Sequence, residues 1–183
     1  KENVGSIEVI ADNLDWSIPT YQNSFYEGLL LNSYSFDRYK TKEKKIRTSL
    51  RKATIYCSKF AKNKTLSSTK YSCAGTFLAL INTPALDCTP AELVKTARKI
   101  ARDQRLKIDV YNRSALKRMG AGGILGVSMA SANEPYLIRL KYTPRNKKGK
   151  SVAIVGKGIT FDSGGLSIKP GQGMETMKCD MSG

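Results

Sequence analysis

The sequence predicts an α/β fold with a largely parallel sheet. Stretches with helical periodicity alternate along the chain with short apolar runs, and this alternation favours parallel strands connected by helices. Apolar residues make up 40% and charged residues 25% of the sequence, which is an ordinary globular composition. With 183 residues, the chain can bury a core as one domain or as parts of two.

The first third of the chain is predicted to be the end of an α/β unit. Apolar runs indicate strands at residues 6–10 and Lys52–Cys57. Between them, residues 22–32 predict a helix whose apolar face contains Phe25, Leu29 and Leu30. A second, apolar helix is predicted over Lys70–Ile81. It has to end before Pro84, which disfavours helical geometry in the preceding residue.

The clearest local signal marks the start of a third helix. Thr89 is predicted to cap it, Pro90 suits its first position, and Glu92 would complete a capping box. We expect this helix to end near Gln104. Its predicted buried stripe consists of Val94, Ala97, Ile100 and Ala101.

The remaining elements are predicted to be short. Strands are expected at Lys107–Tyr111 and Tyr136–Tyr142, with a short helix over Ser114–Met119. The glycine-rich residues 120–131 are expected to be flexible and to allow close backbone approaches. Val152–Val155 is predicted to be a fully apolar strand.

The chain is strongly basic, with a formal net charge of +16. The segment from Arg38 to Lys70 contains twelve Lys or Arg residues and one acidic residue, Glu43. Such a cluster can attract nucleic acid, or it can be a solvated helical face. No zinc-finger, helix-turn-helix or aromatic RNA-binding pattern supports the first alternative.

Cysteine spacing and hydropathy exclude several other classes. Cys57, Cys73, Cys88 and Cys179 form no C-x-x-C pair, so we expect reduced thiols in a cytoplasmic protein. No apolar run approaches the roughly 20 residues that cross a bilayer, so no membrane association is expected.

The loop after the last predicted strand carries the strongest functional signal. It does not match the spacing of a Walker A loop, a dinucleotide fingerprint or a nucleophile elbow, and the chain has no histidine. Asp162 and Asp180 offer hard oxygen ligands for divalent cations. Lys157 could join them only as a neutral amine, with its pKa below the usual ~10.4. A simple ion pair with these aspartates is the alternative.

Two blocks of this loop, GKGITFDSGG at 156–165 and MKCDMSG at 177–183, resemble the leucyl (cytosol) aminopeptidase family of dimetal peptidases. Upstream blocks support the resemblance: EGLLLNSYSFDRYKTK from Glu27, Asn82-Thr83-Pro84 with Thr89-Pro90, and MGAGGILGVSMASANEPYLIRLKY from Met119. Recognisable blocks run from Glu27 to Gly183 and are weakest over Thr48–Ser72.

The resemblance implies a role for each polar residue of the loop. Lys157 and Asp180 would bind one metal, and Asp162 would bridge two. Lys169 would be the catalytic lysine that polarises the scissile carbonyl. Met177 would line the pocket for the substrate's N-terminal side chain, and Lys157 and Asp162 would also take part in substrate binding. The cofactors implied are two divalent ions, zinc or manganese, with magnesium or cobalt as alternatives, and a bicarbonate in the full-length protein.

The same resemblance implies a domain organisation. Residues 1–66 would end an N-terminal α/β domain, 67–82 would form a connecting helix, and 83–183 would begin a metallopeptidase catalytic domain. The family's Asn-Thr-Asp-Ala-Glu-Gly-Arg block, which supplies further ligands, does not occur in this sequence. We therefore expect an internal fragment, inactive alone, of a hexameric, cytoplasmic aminopeptidase that acts on peptides. A nucleic-acid-binding or structural module using the basic region is the competing hypothesis.

Overall fold

The computed structural model describes residues 6–10, 18–32, 34–41, 52–56, 68–145 and 149–183. The chain divides into two compact units, Lys1–Ala79 and Leu80–Gly183. The boundary falls inside the helix that was predicted to connect two domains. The exact limits predicted for the domains, at residues 66 and 82, stay a prediction.

The first unit contains a pair of parallel strands. β1 (Ser6–Ile10) pairs with β2 (Lys52–Tyr56), so that Ser6 lies opposite Lys52 and Ile10 opposite Tyr56. The two predicted strands and their parallel arrangement are therefore confirmed. Cys57, which was predicted to end the second strand, lies outside the described residues.

Two helices complete the described part of this region, and both were predicted. α1 (Pro19–Asn32) begins three residues before the predicted helix, because a proline is accommodated in the first turn. On its predicted apolar face, Phe25 and Leu29 are half-buried, and the side chain of Leu30 lies outside the description. α2 (Ser68–Asn82) ends two residues before Pro84, as the restriction on the residue before a proline requires.

In the second unit, α3 (Pro90–Asp103) starts at the predicted proline. The predicted capping box is wrong: the Thr89 side chain makes no capping hydrogen bond. Instead, the backbone amide of Glu92 donates to the Thr89 carbonyl at 3.0 Å. The Glu92 carboxylate instead forms an ion pair with Lys95, three residues further along the helix, with 3.3 Å between Oε2 and Nζ.

The buried stripe of α3 is narrower than predicted. Val94, Ala97 and Ala101 are buried, whereas Ile100 is 36% exposed and lies at the edge of the stripe. The core of this unit also contains Leu116 and Cys88, which are fully buried.

An antiparallel pair of strands, β3 (Lys107–Tyr111) and β4 (Leu137–Lys141), follows α3. Lys107 lies opposite Lys141, and Tyr111 lies opposite Leu137. Both strands were predicted, and the mixture of helices and strands confirms the α/β class. The direction of this pair differs from the parallel arrangement expected.

The first of these helices, α4 (Arg113–Arg118), agrees with the prediction, and α5 (Gly122–Val127) occupies the glycine-rich segment. Gly120, with φ +66°, ends α4 in the left-handed conformation that glycine adopts most readily. The expected close backbone approaches are wrong for this segment. A Cβ added to Gly120, Gly122, Gly123 or Gly126 would meet nothing within 4 Å.

The predicted strand at Val152–Val155 is also wrong for the described residues. The segment is not assigned to a strand, and Val152, Ile154 and Val155 are 86%, 96% and 94% exposed. A strand needs a neighbour to pair with its backbone N–H and C=O groups, and no described residue provides one. The last two elements of the described residues are the short helix α6 (Gly171–Met174) and a 3₁₀ turn (Met177–Cys179).

Two of the four cysteines have described side chains: Cys88 is buried and Cys179 is partly buried. No helix among the described residues combines the length and the apolar character needed to cross a bilayer.

Candidate metal centre

A tight turn brings Lys169 back to Asp162. The Asp162 carboxylate accepts a hydrogen bond from the Gly164 amide at 2.9 Å, the pattern by which an aspartate organises a turn two residues on. Gly164 and Gly165 have φ values of +89° and +66°, which favour glycine. A Cβ on Gly164 would collide with the Ser167 carbonyl. The Lys169 amide then donates to the Ser163 carbonyl at 2.9 Å and closes the loop.

Asp162 and Lys169 form the first ion pair of the site. Lys169 Nζ lies 2.9 Å from Asp162 Oδ2, and both side chains are about one third exposed. The hydrogen bond from Lys169 lowers the pKa of Asp162, and the Gly164 amide and the charges of Lys169 and Lys157 lower it further. Asp162 is therefore ionised at neutral pH, which is the state that a cation ligand requires.

Lys157 and Asp180 form the second ion pair. Lys157 Nζ lies 3.1 Å from Asp180 Oδ1, with side-chain exposures of 54% and 16%. Asp180 follows the 3₁₀ turn, and its other oxygen, Oδ2, is buried without a hydrogen-bond partner. A buried carboxylate oxygen normally has a partner, so Oδ2 retains an acceptor position that a cation could occupy.

Met177 contacts Lys169 through its sulfur atom. The Lys169 ammonium donates to Met177 Sδ at 3.1 Å, in addition to its bond with Asp162. The structure thus groups the five predicted site residues in two sets, Lys157 with Asp180, and Lys169 with Asp162 and Met177. The charge of Lys157 is the smallest of the contributions that lower the pKa of Asp162, whose main partners are Lys169 and the Gly164 amide.

The donor set of this cluster fits part of a divalent-cation site. Two carboxylates, from Asp162 and Asp180, and one lysine amine are available. No group of three or more His, Cys, Asp or Glu side chains capable of holding a metal occurs among the residues that the structure describes.

One contributor to the site was underestimated from the sequence. The amide of Gly164 binds the Asp162 carboxylate and lowers its pKa. The Asp-x-Gly spacing is a sequence signal for such a turn and could have indicated this bond.

Comparison with known proteins shows which family has a domain that matches the part of the chain containing these residues. The catalytic domain of the cytosol aminopeptidase family matches residues 76–183. The chain is 41% identical over 172 residues to a probable cytosol aminopeptidase of Geobacter sp. (strain M21), a match that covers 91% of the chain and 35% of the relative.

Solved structures of related proteins have a similar fold. The fold resembles leucyl aminopeptidase from Trypanosoma brucei in complex with bestatin, with a TM-score of 0.74, 25% identity, and coverage of 100% of this chain and 35% of that one. It also resembles the bottromycin maturation enzyme BotP in complex with Mn, with a TM-score of 0.70, 28% identity, and coverage of 99% and 38%.

The chain spans little more than a third of the length of these relatives. The resemblance noted in the loop is confirmed by a family match that includes the loop and extends over more than half of the sequence. The chain belongs to the cytosol aminopeptidase family.

Proposed function

We propose that the whole protein is a metal-dependent aminopeptidase that releases N-terminal residues, with a leucine-type preference, from peptides. Family membership supports the peptidase activity. The observation that carries the metal dependence is the pair of lysine–aspartate contacts in this loop, in one of which a buried oxygen of Asp180 has no partner.

In this proposal, Lys157 and Asp180 would hold one divalent ion, and Asp162 would help to hold both ions. Lys157 would bind as a neutral amine and release Asp180 Oδ1 from the ion pair. When bound, a pair of divalent ions supplies a water of lowered pKa as the nucleophile. Zinc and manganese are the proposed ions, with magnesium and cobalt as alternatives, and the manganese in the related BotP structure supports manganese.

Lys169 is the proposed catalytic residue. Its ammonium is about one third exposed, so it can reach a substrate while Asp162 and Met177 orient it. There it would donate to the scissile carbonyl and stabilise the negative charge that develops on the carbonyl oxygen. Met177 would line the pocket for the substrate's N-terminal side chain.

We further propose a cytoplasmic homo-hexamer, with bicarbonate assisting catalysis in the full-length protein. The names of the relatives, cytosol aminopeptidases, support the location. We expect the 183-residue chain to be inactive alone, because its described residues supply only two carboxylates near Lys157. Two metal positions need more ligands than these.

A pair of lysine variants in the full-length protein tests these roles. Lys157→Met should reduce the bound metal towards one ion per subunit, because it removes a ligand. Lys169→Ala should keep both ions and lower turnover by about 10²–10³-fold, the effect of removing one group that stabilises developing charge. Metal content by elemental analysis and hydrolysis of leucine p-nitroanilide with added manganese measure the two effects.

Lys99→Met is the matched control, since Lys99 is an exposed lysine on α3 outside the loop. It should change neither metal content nor turnover. Equal metal loss in the Lys157 and Lys169 variants would contradict the assigned roles. Absence of aminopeptidase activity in the metal-loaded wild-type protein would contradict the proposed function itself.

The nucleic-acid hypothesis gains no support. Much of the basic region Arg38–Lys70 lies outside the described residues, including 42–51 and 57–67. Family membership favours a peptide substrate.

A further inference from the structure

Gly156 and Gly183 allow the backbone segments that carry Lys157 and Asp180 to come into direct contact. The Gly183 amide donates to the Lys157 carbonyl at 3.2 Å. A Cβ added to Gly156 would collide with the Gly183 carbonyl oxygen and lie 2.7 Å from its carbon. A Cβ added to Gly183 would collide with the Lys157 backbone nitrogen and lie 3.0 Å from Lys157 Cα and Cβ. The contact therefore requires that both residues lack a side chain.

Space, rather than backbone conformation, is what requires glycine here. Gly164 and Gly165 have positive φ values, whereas neither Gly156 nor Gly183 is in the left-handed region. The atoms that an added Cβ would meet are mainly backbone atoms, which cannot move aside as the end of a flexible side chain can. Gly158 lies in the same loop, and a Cβ there would meet nothing within 4 Å.

The contact is coupled to the side-chain pair by short segments of chain. Gly156 directly precedes Lys157, and Gly183 follows Asp180 by three residues. The intervening turn is held by two backbone hydrogen bonds, from Asp180 to the Met177 carbonyl at 3.3 Å and from Ser182 to the Cys179 carbonyl at 3.1 Å. A shift at Gly183 would therefore move Asp180 relative to Lys157.

We propose that Gly156 and Gly183 are positioning residues: their contact sets the separation of Lys157 and Asp180, and through it the affinity of the metal position that these two side chains share. This inference rests on the proposed function. Neither glycine touches the metal or the substrate. Each acts through the backbone of the residue that carries the ligand.

Alanine variants of the full-length protein test the inference. Gly156→Ala and Gly183→Ala should each weaken Mn²⁺ binding at one of the two positions by about ten- to hundredfold, the usual effect of losing support behind a metal ligand. The second position should change less. Titration calorimetry with Mn²⁺ measures both. Excess Mn²⁺ should restore turnover in each variant, which a merely structural defect would not allow.

The double variant should lose less affinity than the sum of the two single losses, because either substitution already separates the same contact. Gly158→Ala is the matched control and should bind Mn²⁺ like the wild type. Wild-type affinity in both single variants would overturn the inference. A lower melting temperature of the metal-free protein with unchanged Mn²⁺ affinity, or failure of both variants to fold, would assign the contact to the fold and overturn it equally.

These outcomes are distinguishable from a failure of the proposed function. That failure would appear in the wild-type protein, as the absence of Mn²⁺ binding and of peptide hydrolysis, before any variant is compared.

Discussion

The Lys157–Asp180 pair is poorly suited to a stabilising role. Its lysine is 54% exposed, and an ion pair with an exposed partner contributes little to stability because water screens it. Its aspartate also buries an oxygen without a partner, which is unfavourable. Such an arrangement is understandable if the residues serve a ligand, and this agrees with the metal site proposed.

The contact between Met177 and Lys169 predicts the effect of a conservative substitution. Its sulfur lies 3.1 Å from Lys169 Nζ, so Met177→Leu should remove an acceptor while nearly keeping the volume of the side chain. We expect kcat to fall by less than about tenfold on leucine and alanine substrates alike, since one such bond contributes about 1 kcal/mol. Metal content should not change.

Steady-state kinetics on leucine and alanine p-nitroanilide, compared with the wild type, measure this effect. A change confined to the preference between the two substrates would mean that Met177 acts only as a pocket wall and does not orient Lys169.

Among the elements, α3 and α4 differ in how their first turns are stabilised. At α4, Asn112 accepts a hydrogen bond from the Ala115 amide at 3.0 Å, and Glu134 accepts one from the Arg113 amide at 2.9 Å. These two side chains satisfy backbone donors that a helix start leaves without partners. At α3, the Thr89 side chain makes no such bond.

This difference predicts unequal effects of removing the two cap side chains. Asn112→Ala should destabilise α4 by about 1 kcal/mol, the usual loss for a capping asparagine. Thr89→Ala, the matched variant, should cost less because it removes no capping bond. Amide hydrogen exchange of the first turn of each helix reports the local effect. Equal acceleration in the two helices would contradict the prediction.

For the whole molecule, metal binding should be linked to stability. An ion that binds only the folded state adds about 2.7 kcal/mol at a concentration of 100 times its dissociation constant. We therefore expect Mn²⁺ to raise the melting temperature of the full-length protein. Asp180→Asn should abolish much of this rise, because it removes a ligand charge.

The same variant should leave the metal-free melting temperature nearly unchanged, because the exposed pair with Lys157 contributes little. Differential scanning fluorimetry with and without Mn²⁺ distinguishes the two effects. A large loss of stability in the metal-free variant would show that Asp180 serves mainly the fold, and an undiminished Mn²⁺ response would exclude it as a ligand.

Local signals were sufficient for most elements. The start of α3 at Pro90 and the strand Lys107–Tyr111 follow from nearby residues alone, since proline geometry and side-chain periodicity act over a few positions. Predictions failed where distant partners decide. Ile100 has helical spacing but lies at the edge of the buried stripe, and Val152–Val155 has the composition of a strand without a described neighbour to pair with.

By itself, the sequence indicated the family, because the blocks at 156–165 and 177–183 resemble those of the cytosol aminopeptidases, and this resemblance gave the residues proposed for the site. Only the tertiary structure decided which lysine pairs with which aspartate, and that Gly156 touches Gly183. The physical reason is separation along the chain. Asp180 lies 23 residues after Lys157, and a contact over that distance depends on how the intervening turns fold.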